Sequence, residues 1–399
     1  MRIHTCTPKH FVGSELFFDR DSGLTARGFG KLGVESGSVT LGPALPGDLP
    51  AMRRATWQEL ENPAWWGKLG LDGLVFYTWG NAQYRRMTEA AMAAGIRVAQ
   101  VADQQGVTSP VSDWRAHLQA EAAHDWHEPR WKQLARTALK LPYTCTLRTL
   151  TLDRAHAQAI AASDFFLAST PQADMRYRRL VSRLVGREAA DKVRFVPIPV
   201  NFHFTFTEQD TKHDEVIAVG RWDSLQKRTP LLMAAITATL PRRPETRFRI
   251  FGQVTPELED WHAGLPPAQR PRVVLEGLLP NAALAEAYRR ARVMLVSAAY
   301  EGCHNASAEA ICSGATVVAC RSPFLSALEW HAGKNSGRLA DAATGEALSS
   351  ALLAELETWD RNERDPHAIS AAWTRELHPD KVAARILELF ATLDPKFRP

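Results

Sequence analysis

Short apolar runs alternate with amphipathic stretches along this chain, in two series separated by a polar segment. The first series has strand-like runs at residues 74–77, 97–101, 165–168 and 193–200, and helix-like stretches at 82–94 and 172–184. The second has strand-like runs at 216–219, 248–251, 272–275, 293–297 and 316–319, and helix-like stretches at 231–240, 282–290 and 307–312. This alternation predicts βαβ units on a parallel sheet in each half.

The segment at residues 201–214 is polar, contains scattered aromatic residues and has no regular period. We place a domain boundary there, which gives an N-terminal domain at residues 1–200 and a C-terminal domain at residues 201–379. Two domains also suit a chain of 399 residues, which is too long for one ordinary core. Residues 380–399 begin with a helical apolar stripe that must pack on another part of the protein, formed by Val382, Ala383, Ile386, Leu387, Leu389 and Phe390.

The composition narrows the class of protein. A hydrophobic fraction of 45% with 23% charged residues is typical of a folded globular protein and argues against disorder or a fibrous repeat. Five cysteines without a CxxC pair argue against a disulfide framework or a zinc knuckle and favour a reducing compartment. Without an apolar leader or a bilayer-length run, we expect a cytoplasmic protein, with the inner face of the membrane as an alternative. We expect no metal site.

One glycine pattern is misleading. Gly28, Gly30 and Gly33 match GxGxxG, which in dinucleotide-binding proteins lies between a strand and a helix. Here the nearest predicted strand ends near Thr7 and a polar stretch intervenes. We therefore interpret these glycines as part of a helix terminus or a loop, and expect no nicotinamide or flavin cofactor.

Two loops of the second series combine charge with glycine. The strand at 216–219 leads into Gly220 and Arg221, with Lys227 a few residues on. The strand at 293–297 leads into a second set at the start of a helix, Glu301, Gly302, His304, Asn305, Ala306 and Glu309, with Gly314 after it. In open α/β sheets, ligands bind at the carboxyl ends of parallel strands, where both loops are expected.

These residues resemble the donor site of glycosyltransferase family 4, in the GT-B fold class. Gly220, Arg221, Lys227 and the Glu301-x7-Glu309 pair follow the order of the family's motif, and fragments around Gly252, Leu278 and Leu279 also align. The resemblance covers the C-terminal half. It implies an α/β protein of the GT-B fold, with two Rossmann-like doubly wound domains facing a central cleft and a C-terminal helix crossing back to the N-domain.

The resemblance implies a retaining hexosyl or glycosyl transferase of glycan or polysaccharide biosynthesis. It would move a sugar from a UDP- or GDP-linked donor to a hydroxyl of a saccharide, lipid-linked or other acceptor. Arg221 and Lys227 would stabilise the charge that develops on the departing diphosphate. Glu301 would contact sugar hydroxyls, and Glu309 the ribose. No cofactor is implied beyond the nucleotide sugar as co-substrate.

Backbone groups complete the implied donor site. Those around Leu278 and Leu279 would recognise the base. Gly220 and Gly252 would also belong to the donor site, and Gly302 would permit close approach of the backbone. N–H groups near His304, Asn305 and Ala306 would bind phosphate at a helix N-terminus, so that a metal ion is unnecessary.

The N-terminal half departs from the family pattern. Ser22 and Gly23 are the best match to a phosphate-facing loop, but the usual tandem glycines are absent. Asp103 follows a predicted strand, without the histidine that often precedes it, and would orient or deprotonate the acceptor hydroxyl. A carboxylate that caps a loop is the alternative for Asp103.

Other interpretations stay open. A nucleotide-sugar epimerase on the same scaffold, or a catalytically silent nucleotide-sugar-binding regulatory protein, would share the donor site. Residues 126–143 alternate basic and apolar side chains and would suit peripheral contact with an anionic membrane, although we favour a helix packed on its own domain. No motif indicates nucleic acid as a partner.

Overall fold

The computed structural model describes residues 1–11, 13–124, 129–223, 225–333 and 335–398, and it divides into two compact units. The first contains residues 1–199 and 379–399, and the second contains residues 200–378. Trp126, at the start of the stretch considered for membrane contact, lies outside the described residues, as does Ser224 between Arg221 and Lys227. Within the described ranges, no helix is long and apolar enough to cross a bilayer.

The first unit is built on a seven-stranded parallel sheet in the order β3-β2-β1-β4-β5-β6-β7. Its strands are β1 (Arg2–His10), β2 (Glu35–Leu41), β3 (Met52–Ala55), β4 (Gly73–Phe76), β5 (Arg97–Ala102), β6 (Phe165–Ala168) and β7 (Val193–Phe195). Its helices before the second unit are α1 (Ser14–Phe18), α2 (Asp21–Lys31), α3 (Trp57–Leu60), α4 (Pro63–Gly67), α5 (Arg85–Ala93), α6 (Trp114–His124), α7 (Arg130–Tyr143), α8 (Arg154–Ala161), α9 (Pro171–Leu184) and α10 (Arg187–Ala190). A π-helical segment, Thr144–Asp153, joins α7 to α8.

The second unit is built on a six-stranded parallel sheet in the order β10-β9-β8-β11-β12-β13. Its strands are β8 (His213–Val219), β9 (Arg247–Phe251), β10 (Val273–Gly277), β11 (Ala291–Val296), β12 (Thr316–Cys320) and β13 (Gly337–Ala340). Its helices are α11 (Thr229–Thr239), α12 (Pro256–Ala263), α13 (Asn281–Arg290), α14 (Asn305–Cys312), α15 (Ser326–His331), α16 (Gly345–Asp360) and α17 (Pro366–Leu377).

The central strands of the second sheet are buried on both faces, which explains their continuous apolar sequence. Ile217 of β8, Val293 of β11 and Val317 of β12 are at most 1% exposed. The chain leaves β8 toward one edge of the sheet through β9 and β10, and then returns to the other edge through β11. The strand order therefore reverses between β8 and β11, which is the position where doubly wound sheets bind ligands.

The last helix, α18 (Pro379–Ala391), belongs to the first unit and packs on α2. Its apolar stripe is buried there, with Val382, Ile386 and Phe390 at most 2% exposed. A methyl group on Gly28 of α2 would lie 2.1 Å from the Pro379 carbonyl oxygen, so the helices meet where α2 has no side chain. The predicted return of the C-terminal helix to the N-terminal domain is confirmed.

The same contact explains the misleading glycine pattern. Gly28 and Gly30 lie in the second half of α2 rather than in a loop or at its very end, and Gly33 follows the helix. The GxGxxG pattern in α2 therefore contains Gly28, which is required for packing against α18. The element before α2 is the helix α1 and not a strand.

Three strands were not predicted from the sequence, β2, β3 and β13, and one was predicted too long. β2 carries Ser36, Ser38 and Thr40 in place of apolar residues, and its buried Ser38 hydroxyl lies 2.7 Å from that of Thr5 on β1. The Ser38 hydroxyl can be buried because it finds a hydrogen-bond partner on the neighbouring strand. β7 ends at Phe195 because prolines, which have no N–H to donate to the sheet, follow at 197 and 199.

Candidate functional site

The second unit places the predicted donor residues on loops that leave one edge of its sheet. Gly220 and Arg221 follow β8, Gly252 follows β9, and Leu278 with Leu279 follow β10. Glu301 lies in the loop after β11. All four strands are parallel, so their carboxyl ends meet at the same edge, and the β8 and β11 loops flank the point where the strand order reverses.

Lys227 and Glu301 form an ion pair across that point. The Lys227 Nζ atom donates to Glu301 Oε1 at 2.6 Å, and the two side chains are 14% and 10% exposed. Two hydrogen bonds join the β8 loop to the β11 loop. The Ala299 N–H donates to the Gln226 carbonyl oxygen at 2.7 Å, and the Ser297 hydroxyl donates to the Lys227 carbonyl oxygen at 2.5 Å. The cation and the carboxylate are therefore fixed at the sheet edge.

Opposing effects act on the Glu301 carboxyl group. Burial raises its pKa above the usual value, while the charges of Lys227 and, more weakly, Arg221 lower it. The raised pKa means that burial outweighs the two cations. Arg221 itself is exposed, so its guanidinium is accessible at the same edge. The arrangement offers two cations and one carboxylate to a ligand that carries both phosphate and hydroxyl groups.

Gly252 allows the β8 and β9 loops to approach at backbone distance. A Cβ atom at this position would lie 1.8 Å from the Gly220 carbonyl oxygen, and its φ of +120° disfavours any other residue. The Gly252 N–H also donates to the Gly277 carbonyl at 2.8 Å, which links this turn to the end of β10.

We expect Gly252→Ala to lower the free energy of unfolding by about 1–3 kcal/mol, because the added methyl group forces two loops apart at a strained φ. Thermal and urea unfolding would measure the change. Gly264→Ala is the matched control, since its nearest atoms lie at 3.4 Å and its φ of −74° suits alanine. Equal stabilities of the two variants would contradict the assigned role of Gly252.

His304 begins α14 in an unusual way. It is the N-cap residue, in the left-handed region with φ of +46°, and its Nδ1 accepts the Ser307 N–H at 3.1 Å. This bond assigns the hydrogen of the neutral ring to Nε2. The Nε2 atom is buried, has no hydrogen-bond partner within the described part of the chain, and lies 3.9 Å from Glu301 Oε1. A buried donor thus remains beside Glu301.

The side chains that hold His304 were not predicted from the sequence. The Ser307 hydroxyl lies 2.7 Å from His304 Nδ1 and 2.7 Å from Nδ1 of His331, at the end of α15. Burial, the largest effect on both imidazoles, lowers the pKa of His331 to about 3 and that of His304 well below its usual value. Both rings are therefore neutral. Nothing in the sequence spacing links His331 to the motif.

The remaining residues of the second loop lie on α14. Glu309 lies in its second turn, near the buried Tyr288 hydroxyl, whose pKa is raised first by burial and then by this carboxylate. His304 is the N-cap residue of α14, and Asn305 is its first helical residue. Gly302 precedes the helix, and Ala306 lies in its first turn.

Two exposed leucines follow β10. Leu278 and Leu279 are 80% and 37% exposed, in a loop that begins at Gly277 with φ of +73°. Apolar side chains so placed at the carboxyl edge offer a surface for a flat ring. Neighbouring strands of a sheet lie about 4.8 Å apart, so this loop is about 14 Å from the β11 loop along the edge.

The first unit brings Asp103 into a cluster of its own. Asp103 follows β5 and is near Asp21, Lys9 and Trp79, and the Lys9 ammonium lies 3.9 Å from the centre of the Trp79 ring. Burial, and then the charge of Asp21, raise the pKa of Asp103 to about 6, against lowering effects of Lys9 and of a hydrogen bond from Trp79. Trp79 has an unusual φ of 55°. The sequence identified Asp103 but none of these neighbours.

Ser22 and Gly23 do not form the loop that was predicted for them. Both lie in the first turn of α2 and are buried. A Cβ atom on Gly23 would be 2.4 Å from the Phe17 carbonyl oxygen, so this glycine serves the packing of α2 against α1. No described residue forms a hydrogen bond with the buried Ser22 hydroxyl.

Comparisons with known proteins agree with this architecture. Residues 213–358 match the family model described as glycosyl transferases group 1. No curated protein matches the sequence. The fold matches HepE from Anabaena in complex with UDP, at 12% identity over 98% of this chain and 100% of that one, with a TM-score of 0.62.

Two further structures cover 99% of this chain and 99% of their own. One is the pneumococcal O-GlcNAc transferase GtfA in complex with UDP and GlcNAc, at 11% identity and a TM-score of 0.64. The other is sucrose-phosphate synthase from Thermosynechococcus elongatus, at 14% identity and a TM-score of 0.62. The protein therefore has the GT-B fold, and residues 213–358 of its second unit are similar to the group 1 glycosyl transferases.

Proposed function

We propose that this protein is a retaining, metal-independent glycosyltransferase that takes a sugar from a UDP- or GDP-linked donor. The observation that carries the proposal is the buried Lys227–Glu301 pair at the point where the strand order reverses. Arg221 and the first turn of α14 lie on the same two loops. This combination fits a ligand with an anionic diphosphate joined to a sugar. Retention is proposed from the resemblance of the Glu301-x7-Glu309 motif.

The donor would extend along the sheet edge. The base would lie at Leu278 and Leu279, and the sugar near Glu301, a separation of about 14 Å for three strand spacings. An extended nucleoside diphosphate sugar suits that span. The diphosphate would then lie between Arg221, Lys227 and the α14 N-terminus, whose first N–H groups have no partners within the helix. Glu309 would bind the ribose.

The chemistry follows from where charge develops. As the bond to the sugar breaks, negative charge grows on the diphosphate and the sugar becomes oxocarbenium-like. Fixed cations stabilise that charge without a metal ion. Glu301, with its raised pKa, and the His304 Nε2–H would hold sugar hydroxyls in position. Because His304 is neutral, it adds no charge to the site beside Arg221, Lys227 and the two glutamates, Glu301 and Glu309.

The acceptor would bind the first unit, as a saccharide or lipid-linked hydroxyl activated by Asp103. A carboxylate with a pKa of about 6 is a suitable general base near neutral pH. Ser22 and Gly23 are buried in α2, which weakens the proposal that they contact phosphate through a loop.

The role of Asp103 predicts a pH dependence. Because the carboxylate is the active form, kcat/KM is expected to fall about tenfold per pH unit below a pKa of about 6. The raised pKa also means that folding stability declines as pH rises from about 4 to 6, since the folded state binds the extra proton. Asp103→Asn should remove both effects.

Rates from pH 5 to pH 8 and urea unfolding from pH 4 to pH 8 would measure them. Glu89→Gln, at an exposed carboxylate on α5, is the control and should keep the wild-type profiles. If the acid limb of the rate profile persists in Asp103→Asn, Asp103 is not the base.

A panel of nucleotide sugars tests the proposed function directly. A donor at a hundredfold its Kd should raise stability by about 2.7 kcal/mol, measured by thermal shift. The stabilising donor is then incubated with EDTA, with and without hydroxyl acceptors, and its products are identified. Sugar transfer that survives EDTA, with the anomeric configuration kept, is expected. Conversion of the donor alone would indicate an epimerase, and binding without turnover a regulatory protein; complete loss with EDTA would contradict metal independence.

A further inference from the structure

Two buried histidines and one serine form a continuous chain of hydrogen bonds beside the donor loops. The Ser307 hydroxyl lies 2.7 Å from His304 Nδ1 and 2.7 Å from His331 Nδ1. All three residues are at most 4% exposed. The His331 ring packs against Trp330 and Trp373, whose ring centres lie 5.1 and 5.5 Å from its own. We call Ser307 and His331 the support pair of His304.

The Ser307 backbone sets the direction of these hydrogen bonds. Its N–H hydrogen cannot rotate and points to His304 Nδ1, so this nitrogen holds a lone pair. The serine hydroxyl must donate to the same nitrogen, because two lone pairs would otherwise face each other at 2.7 Å. The oxygen of that hydroxyl then accepts the Nδ1–H of His331. Each neutral ring therefore has one defined tautomer, and His304 carries its hydrogen on Nε2.

The backbone of His304 indicates that its side chain has a purpose. Its φ of +46° and ψ of 67° lie in the left-handed region, which is unfavourable for a residue with a Cβ atom and unstrained for glycine. The hydrogen bonds of the support pair hold the ring in spite of this strain. A glycine would begin α14 more easily, so the imidazole itself is the reason for a histidine at this position.

The His304 Nε2–H and the Glu301 carboxylate offer a hydrogen-bond donor and an acceptor side by side. The distance of 3.9 Å between Nε2 and Oε1 is too long for a direct hydrogen bond. An oxygen atom about 2.8 Å from both would form an angle of about 90° with them. The Glu301 side chain is 10% exposed and that of His304 1%, so a ligand reaches this place from the side of the carboxylate.

A hydroxyl group is the ligand that suits both atoms. Its oxygen accepts the Nε2–H, and its hydrogen is donated to the carboxylate. A deoxy carbon can do neither, and an ammonium or amide nitrogen cannot accept a hydrogen bond. A site that pairs both groups with one hydroxyl rejects the analogue without it, because the donor and the acceptor then stay buried and unpaired.

We propose that the support pair, Ser307 and His331, positions His304 so that the site selects a donor whose sugar has a free hydroxyl between His304 and Glu301. This inference deepens the proposed function and rests on it. Ser307 and His331 act through His304 and do not touch the sugar, so they are positioning residues.

Monodeoxy forms of the donor sugar test this selection. With the donor found in the nucleotide-sugar panel, wild type should prefer the parent over one of its monodeoxy forms by about 10⁴-fold in kcat/KM. His331→Leu removes the N–H and should reduce that preference by about tenfold, the effect of one net hydrogen bond. His331→Asn keeps an N–H on the atom bonded to Cγ and should restore most of the preference. Ser307→Ala should match His331→Leu, and the double variant should lose no more than either alone.

The controls separate positioning from stability. The preference is a ratio of two rates of one variant, so a loss of folded protein cancels from it. His304→Gly removes the imidazole at a backbone that suits glycine, and should lose the preference while it stays folded. His262→Leu is the matched control and should keep the wild-type preference, because His262 Nε2 lies 2.9 Å from the carbonyl oxygen of Val273, at the start of β10 and the opposite edge of the sheet.

The outcomes distinguish this inference from the proposed function. An unchanged preference in His331→Leu and Ser307→Ala would overturn the role of the support pair. If wild type transfers the sugar but uses every monodeoxy donor within about tenfold of the parent, His304 serves Glu301 alone, and the inference is wrong while the transferase function stands. A wild-type protein that neither binds nor transfers any donor would overturn both.

Discussion

Replacement of Lys227 by alanine is expected to lower kcat/KM for sugar transfer by about a hundredfold or more, with the fold preserved. The Nζ atom lies at the edge of the sheet, 2.6 Å from Glu301, and stabilises charge on the departing diphosphate in our proposal. Loss of one such fixed donor costs about 3 kcal/mol of transition-state stabilisation. Initial rates at saturating acceptor, with circular dichroism for the fold, would measure the effect.

Arg247→Ala provides the matched control, since this exposed cation begins β9 at the opposite edge of the same sheet. It should keep near-normal turnover. Comparable rates in Lys227→Ala and the control would show that the pair is only structural.

Glu301→Gln tests whether the two residues act together. Because Lys227 and Glu301 are hydrogen-bonded, the loss in the double variant should be smaller than the sum of the two single losses on a free-energy scale. Strict additivity would mean that the pair does not act as one unit.

Deletion of residues 379–399 is expected to unfold the first unit. The side chains of Val382, Ile386, Leu387 and Phe390 are at most 2% exposed, and each contributes about 1.5–3 kcal/mol when buried. The sum, about 6–12 kcal/mol, is comparable with the whole stability of an ordinary domain, about 5–15 kcal/mol. The truncated chain should therefore aggregate or be cleaved rapidly by protease within residues 1–199.

Point substitutions on α18 test whether its buried side chains, and not only the presence of the segment, stabilise the first unit. Ile386→Asp should reproduce much of the loss, because it puts a charge into the contact with α2, whereas Glu388→Ala, at an exposed position of the same helix, should be neutral within about 0.5 kcal/mol. Thermal unfolding with limited proteolysis would compare them. A truncated protein as stable as the full chain would refute the contribution of α18 to the first unit.

The sequence alone determined most of the second unit. β8, β11 and β12 are buried on both faces, so they read as continuous apolar runs, and amphipathic helices alternate with them. Glu301 and Glu309 could be recognised from the sequence because they lie close together in the chain, on one loop and the helix that follows it. Their spacing in the sequence therefore also fixes their distance in the structure. β2 lacked this signal because Ser36, Ser38 and Thr40 interrupt its apolar sequence, and the partner of the Ser38 hydroxyl lies on another strand.

The contacts between residues that are far apart in the sequence became visible in the folded structure alone. Lys227 and Glu301 are 74 positions apart, and His331 reaches His304 through Ser307 although nothing in its spacing indicates this. Asp103 was visible as a strand-end carboxylate. The burial that raises its pKa most is a property of the folded chain, and Asp21, Lys9 and Trp79, which modify that pKa, come from other elements. Helix α7 was expected to pack on its own domain, but Trp131, Leu134 and Leu139 are exposed. The amphipathic pattern of α7 is the same for a packed helix and an exposed one, because periodicity records which side chains share a face and not what covers that face.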